Sequence, residues 1–186
     1  MYQTLLAKLG RALDEARLPY MVIGGQAVLF HGEPRLTRDI DITLGVDSSQ
    51  LNTVLNAVTQ IGLTPSVNDA ETFVRDTNVL PLSDAPSSLR VDLIFSFSPY
   101  EAEAIRRAIP VLLEGVQVHF ASAEDLIIHK LVAGRPRDIE DVKGILARKP
   151  SLDQPYLTRW LASFRDVVNR DLVSEFRSLV RTRGLE

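Results

Sequence analysis

The chain has 186 residues, is 45% hydrophobic, carries a net charge of −3 and contains no cysteine. That length supports one substantial core, or a core domain with a small appendage, and the composition excludes a disordered or fibrous chain. Without cysteine there are no disulfides and no thiolate chemistry, and the negative charge argues against a protein that coats nucleic acid through many Lys and Arg contacts.

At the amino terminus Leu5, Leu9, Ala12, Leu13 and Ala16 share one helical face ahead of Pro19, so a helix is expected over residues 2–17. Charges break up its apolar residues, so it reads as neither a signal peptide nor a membrane span, and a cytoplasmic protein with no membrane partner is expected. Tyr20-Met21-Val22-Ile23 follows as a buried strand ending at Gly24-Gly25. A helical pattern then resumes over Gln26-Ala27-Val28-Leu29-Phe30, closed by Gly32 and Pro34. Residues 39–46 form the next strand. Ser48 or Ser49 can cap a helix over LNTVLNAVTQ that Gly62 ends.

In the middle, TFVR, NVLPL and LRVDLIFSF favour strands, with turns at NDAET and SDAPSS, so a meander is expected. Pro99 opens a helix over YEAEAIRRA, and VLLEGVQVHF reads as a hairpin turning at Glu114-Gly115. After Ser122 the strand signals stop. Ser122 and Asp125 make a capping-box-like start to AEDLIIHKLVAG, and helices are expected near residues 138–148, 153–167 and 170–182. The shift in composition near residue 121 divides the chain into a mixed α/β part, residues 1–121, and a helical part, residues 122–186.

The segment TRDIDITL carries the strongest chemical signal. Alternate residues of a strand share a face, so Asp39 and Asp41 point together with Cα atoms about 7 Å apart while Ile40, Ile42 and Leu44 face a core. Carboxylates ~6 Å apart repel by about 3 kcal/mol at an effective dielectric of 20, a large share of a domain's ~5–15 kcal/mol stability. A third carboxylate, Asp92, interrupts the apolar run Leu89-Arg90-Val91-Asp92-Leu93-Ile94-Phe95. If the two strands adjoin, three carboxylates converge, and a divalent cation would offset their repulsion. Magnesium suits few carboxylates completed by water and substrate phosphates. His31, His119 and His129 are too scattered for zinc. Gly24-Gly25, at a strand-to-helix junction, lets backbone N–H groups approach a phosphate, although neither the P-loop nor the dinucleotide fingerprint is present.

VIGG at residues 22–25, DIDI at 39–42 and VDLI at 91–94 together resemble the DNA polymerase β-like nucleotidyltransferase superfamily. In the helical part, HKLVAGRPRDIEDVKGIL resembles the Lys, Arg, Asp, Asp segment of small bacterial AbiEii-type toxin nucleotidyltransferases. The resemblance implies a nucleotidyltransferase-like mixed β-sheet flanked by helices, followed by a helical domain. It implies a magnesium-dependent transfer of a nucleoside monophosphate from a nucleoside triphosphate to an acceptor hydroxyl. By resemblance, Asp39 and Asp41 hold magnesium, Asp92 completes the site and activates the attacking hydroxyl, Gly24 and Gly25 cradle the triphosphate, and Lys130 contacts nucleotide phosphates. Gly25 stands where serine is commoner, so a side-chain hydroxyl is missing there.

The acceptor is left open between RNA, a small molecule and a protein hydroxyl, and a toxin paired with an antitoxin protein is one expectation. A noncatalytic nucleotide sensor on the same fold is the alternative. Arg35 and Arg38 stand near the aspartates in sequence, where they either steer the triphosphate or balance the carboxylates. Lys130 on a helix is equally readable as a solvated lysine, and Asp138 as a helix cap after Pro136. His31 and His129 read as helix-surface or packing residues.

Overall fold

The computed structural model describes residues 1–33, 36–96, 98–148 and 151–182. The chain forms two compact units, Met1–Gln26 with Leu36–Ala121, and Ala27–Arg35 with Ser122–Glu186. The first unit opens with α1 (Tyr2–Glu15), β1 (Tyr20–Ile23) and the start of α2 (Gly24–His31), then β2 (Asp39–Leu44), α3 (Leu51–Gln60) and β3 (Leu63–Pro65). It continues with α4 (Ala70–Thr77), β4 (Val79–Asp84), β5 (Leu89–Phe95), α5 (Pro99–Arg106), β6 (Ile109–Leu113) and β7 (Val116–Phe120). The seven strands make one sheet in the order β3-β4-β5-β2-β1-β7-β6. It is mixed, as expected: β2 runs antiparallel to β1 and parallel to β5.

The centre of the sheet follows from alternation. Ile40, Ile42 and Leu44 of β2 and Val91, Leu93 and Phe95 of β5 are buried, and each such side chain stabilises the fold by roughly 1.5–3 kcal/mol. The apolar stripe of α1, Leu5, Leu9 and Leu13, is buried as this helix packs on β7 and α3. The β6–β7 hairpin turns at Glu114 and Gly115, both at positive φ as a two-residue turn of matching twist requires.

Three local expectations are corrected. TFVR is not a strand but part of α4, because Asp69 accepts the Thr72 N–H at 3.0 Å and Asn78 closes the helix in the left-handed conformation. Caps at both ends outweigh the β preference of Phe and Val. The cap ahead of α3 is Asp47 rather than Ser48 or Ser49; it accepts the Ser49 N–H at 2.9 Å on a short 3-10 turn, Ser48–Gln50. The strand bearing the paired aspartates ends at Leu44, where Gly45 donates to the Pro19 carbonyl instead of continuing the ladder.

The second unit is helical in its carboxyl-terminal part: α6 (Ala123–Ala133), α7 (Pro136–Arg148), α8 (Gln154–Ser163), α9 (Arg165–Val168) and α10 (Leu172–Thr182). Ser122 caps α6 by accepting the Asp125 N–H at 3.1 Å, and the buried Asp125 carboxylate accepts the hydroxyls of Ser122 and Tyr156. Leu126, Ile127, Val142, Ile145, Leu157 and Leu161 are fully buried in this unit. Among the described residues, no helix is long and apolar enough to cross a membrane.

Candidate active site

Pairing of β2 with β5 decides which carboxylates meet. The parallel register sets Asp41 beside Asp92 and Asp39 beside Arg90. Neighbours in register share a face, and the burial pattern agrees: Asp39, Asp41 and Asp92 are all partly exposed while the residues between them are buried. On the other side of Asp41 lies Ile23, the last residue of β1, so the chain passes from Asp41's neighbour directly into Gly24.

Gly24 adopts φ +63 and starts α2. A β-carbon there would fall 1.9 Å from Oδ2 of Asp41, so only glycine allows the carboxylate to lie over this backbone. At Gly25 a β-carbon would fall 2.2 Å from Oγ1 of Thr37. The two glycines are therefore demanded by what stands against them, the Asp41 carboxylate and the Thr37 hydroxyl. Gln26, next along α2, is 7% exposed, and its Nε2 has no hydrogen-bond partner among the described residues.

The electrostatics follow from this crowding. Burial raises the Asp92 carboxyl above its ordinary value, the Arg90 guanidinium opposes the rise, and the Asp39 charge reinforces it. The side-chain carboxylates of Asp39 and Asp92 accept no hydrogen bond from any described residue. Their acceptor capacity is thus unspent, and the donor set is oxygen alone. That chemistry fits a hard cation such as magnesium, which takes one or two carboxylates and completes its shell with water and phosphate oxygens. A closed protein cage is not formed: among the described residues no three His, Cys, Asp or Glu side chains gather on one point.

Arg38 is exposed and pairs with no described residue, and Arg35 lies outside the described residues. Lys130 belongs to the second unit and is not a solvated surface lysine. Its side chain is 7% exposed, and its ammonium lies 2.8 Å from Oδ1 of Asp138 and 2.9 Å from Oδ2 of Asp141, both buried. Asp138 is not the residue preceding a helix, as a cap would be. It stands in the first turn of α7 and accepts the Arg135 backbone N–H at 3.3 Å and the Arg135 Nε–H at 2.6 Å. Burial opposes its ionisation, yet the hydrogen bonds from Arg135 and Lys130 hold its carboxyl below the ordinary value.

His31 is buried, and the Nε2 of His129 is sealed from solvent although part of that residue stays exposed. Sequence reasoning missed Thr37 and Gln26. A threonine ahead of a strand carries no pattern of its own, and only the fold brings it against Gly25.

Residues 3–177 match the family model described as "Nucleotidyltransferase of unknown function (DUF6036)". Nothing among curated proteins matches the chain. Several solved structures are similar. ANT(2")-Ia in complex with adenylyl-2"-tobramycin is 20% identical, with 89% of this chain and 97% of that chain covered and a TM-score of 0.59. The lincosamide antibiotic adenylyltransferase LnuA, bound to lincomycin, is 15% identical over 74% of this chain and 91% of its own, with a TM-score of 0.51. MenT4, the nucleotidyltransferase toxin Rv2826c of Mycobacterium tuberculosis H37Rv, is 15% identical over 89% of this chain and 64% of its own, with a TM-score of 0.55. At such identities the likeness establishes the fold.

Proposed function

Since the chain belongs to the DUF6036 family of nucleotidyltransferases, we infer that Asp39, Asp41 and Asp92 carry the transfer of a nucleoside monophosphate from a nucleoside triphosphate to an acceptor hydroxyl. The observation that carries this assignment is the register that sets Asp41 beside Asp92 while Gly24 lies against the Asp41 carboxylate. The Asp41 carboxylate thereby lies against the backbone that opens α2.

In this reading Asp39 and Asp41 hold magnesium, with Asp92 completing the set. A bound magnesium ion would supply stabilisation of the charge that builds on the α-phosphate and the departing pyrophosphate. Gly24 and Gly25 present backbone N–H groups to the triphosphate at the start of a helix, and the exposed Arg38 draws it in. The acceptor oxygen forms a bond to the α-phosphorus, the bridging P–O bond to the β-phosphate breaks, and pyrophosphate leaves. The hydroxyl proton passes to the Asp92 carboxylate, in register beside Asp41, and from there to solvent. Lys130, as a nucleotide contact, would act through the N–H that its two ion pairs leave over.

For the acceptor, the reading takes a hydroxyl of RNA, with the chain as the toxin of a toxin-antitoxin pair of AbiEii type. MenT4, a toxin of similar fold, supports it. A small-molecule hydroxyl is the competing acceptor, supported by the adenylylated tobramycin held by ANT(2")-Ia. Incubation with magnesium, each labelled triphosphate and total cellular extract tests both. Label in RNA, lost in Asp41→Asn, supports the first, and label in a small molecule supports the second. No pyrophosphate release with any triphosphate would leave the noncatalytic sensor. Growth arrest on expression, cured by Asp41→Ala, tests the toxin role.

A further inference from the structure

We propose that the Thr37 hydroxyl donates a hydrogen bond to a phosphate oxygen of the bound triphosphate, acting at Gly25 where that residue has no side chain to offer. The proposal rests on the nucleotidyl-transfer reading and adds to it a residue that no motif marks.

Three observations carry it. First, of the Thr37 atoms near Gly25, the hydroxyl comes closest to the place of a β-carbon: Oγ1 at 2.2 Å, Cβ at 2.7 Å and Cγ2 at 3.3 Å. The polar atom, not the methyl, is turned to the bare backbone at the start of α2. Second, that hydroxyl is almost uncommitted. Among the described residues its one hydrogen bond is a 3.4 Å donation to the Asp39 carbonyl, well beyond the 2.5–3.0 Å of an ordinary O–H···O bond. Third, the residue is held in place from elsewhere: the Tyr2 hydroxyl donates to the Thr37 carbonyl at 2.8 Å, tying the approach to β2 onto α1.

A fixed, partly exposed hydroxyl beside the N–H groups that open a helix is a donor set for an anionic oxygen. Thr37 also lies two residues ahead of Asp39, at the same end of β2 as the carboxylates. A phosphate chain reaching from those carboxylates to α2 would pass it.

Calorimetry on the full chain, with magnesium and a nonhydrolysable nucleoside triphosphate, tests this. Thr37→Val, which keeps the shape and removes the donor, should weaken binding about tenfold or more, and Thr37→Ser should stay within about twofold of the parent. Gly25→Ser alone should lower the melting temperature, because its β-carbon meets the Thr37 hydroxyl. The pair Gly25→Ser with Thr37→Gly removes every Thr37 side-chain atom that the new β-carbon would meet and returns a hydroxyl to the same region, so it should bind at least fivefold tighter than Thr37→Gly alone.

Binding by Thr37→Val within twofold of a triphosphate-binding parent would overturn the proposal and leave the transfer reading standing. Should Thr37→Val fail to fold, a double variant binding no better than Thr37→Gly would overturn it equally. A parent that binds no triphosphate with magnesium overturns both readings.

Discussion

The Asp41 carboxylate occupies the space where a β-carbon of Gly24 would stand, with Oδ2 1.9 Å from that point. Backbone conformation and side-chain placement thus make the same demand on one residue. Gly62 offers a control, because it has φ +87 but nothing within 4 Å of its β-carbon position. Gly62→Ala should show only the cost of a left-handed alanine, about 1–2 kcal/mol. Gly24→Ala should cost more than that and abolish nucleotide transfer, because the carboxylate must move. Denaturant melts of the two variants beside a transfer assay make the comparison, and equal destabilisation with retained transfer would contradict it.

Neutralising a carboxylate in the central row should separate stability from activity. The side-chain carboxylates of Asp39 and Asp92 accept no hydrogen bond from the described residues, and the Asp39 charge disfavours ionisation of Asp92. Asp39→Asn and Asp92→Asn are therefore expected to leave the metal-free fold as stable as the parent, or more stable by up to ~1 kcal/mol, while abolishing transfer. Asp41→Asn should abolish transfer as well. Melts in chelator and pyrophosphate release with magnesium provide the check.

The Lys130 network predicts the opposite balance. Removing one partner of a buried ion pair leaves uncompensated charge, typically at a cost of about 3–5 kcal/mol, and Lys130 serves two carboxylates at once. Lys130→Met should accordingly destabilise the protein by roughly that amount, and adding Asp138→Asn should recover part of it. Denaturant melts of the single and double variants measure the coupling. Triphosphate binding by the double variant, measured at a temperature where it is folded, tests the nucleotide contact separately.

Acid should weaken the fold partly through His129. Burial, with a smaller push from the Lys130 charge, lowers its imidazole to about 4 from the ordinary 6.5. Between those values the unfolded chain binds a proton that the folded chain refuses, so stability falls as pH drops from about 6.5 to about 4. The loss approaches ~3 kcal/mol at the lower limit. Asp138, held below its ordinary value, adds stability that is present above the unfolded carboxyl value of about 3.9 and lost below it. Urea melts from pH 7 to 4 should show the decline, and His129→Gln should flatten it.

Residues that act on near neighbours were legible from the sequence alone. The alternation of DIDITL, the Glu114-Gly115 turn and the Ser122–Asp125 cap each engage groups within a few positions, so their chemistry declares itself locally. TFVR shows where local reading falters: its preference for strand lost to the caps Asp69 and Asn78, a contest between two local terms that composition does not weigh. Tertiary structure alone decided the rest. Asp92 meets Asp41 because β2 and β5 pair in one register, and a shift by one residue would have turned it to the other face. Lys130 is buried and twice paired because α7 folds back along α6, and Thr37 faces Gly25 because the approach to β2 is tied to α1 through Tyr2. A side chain's type records what it can bond, but which partner reaches it depends on chain packing between distant segments, and no local pattern encodes that.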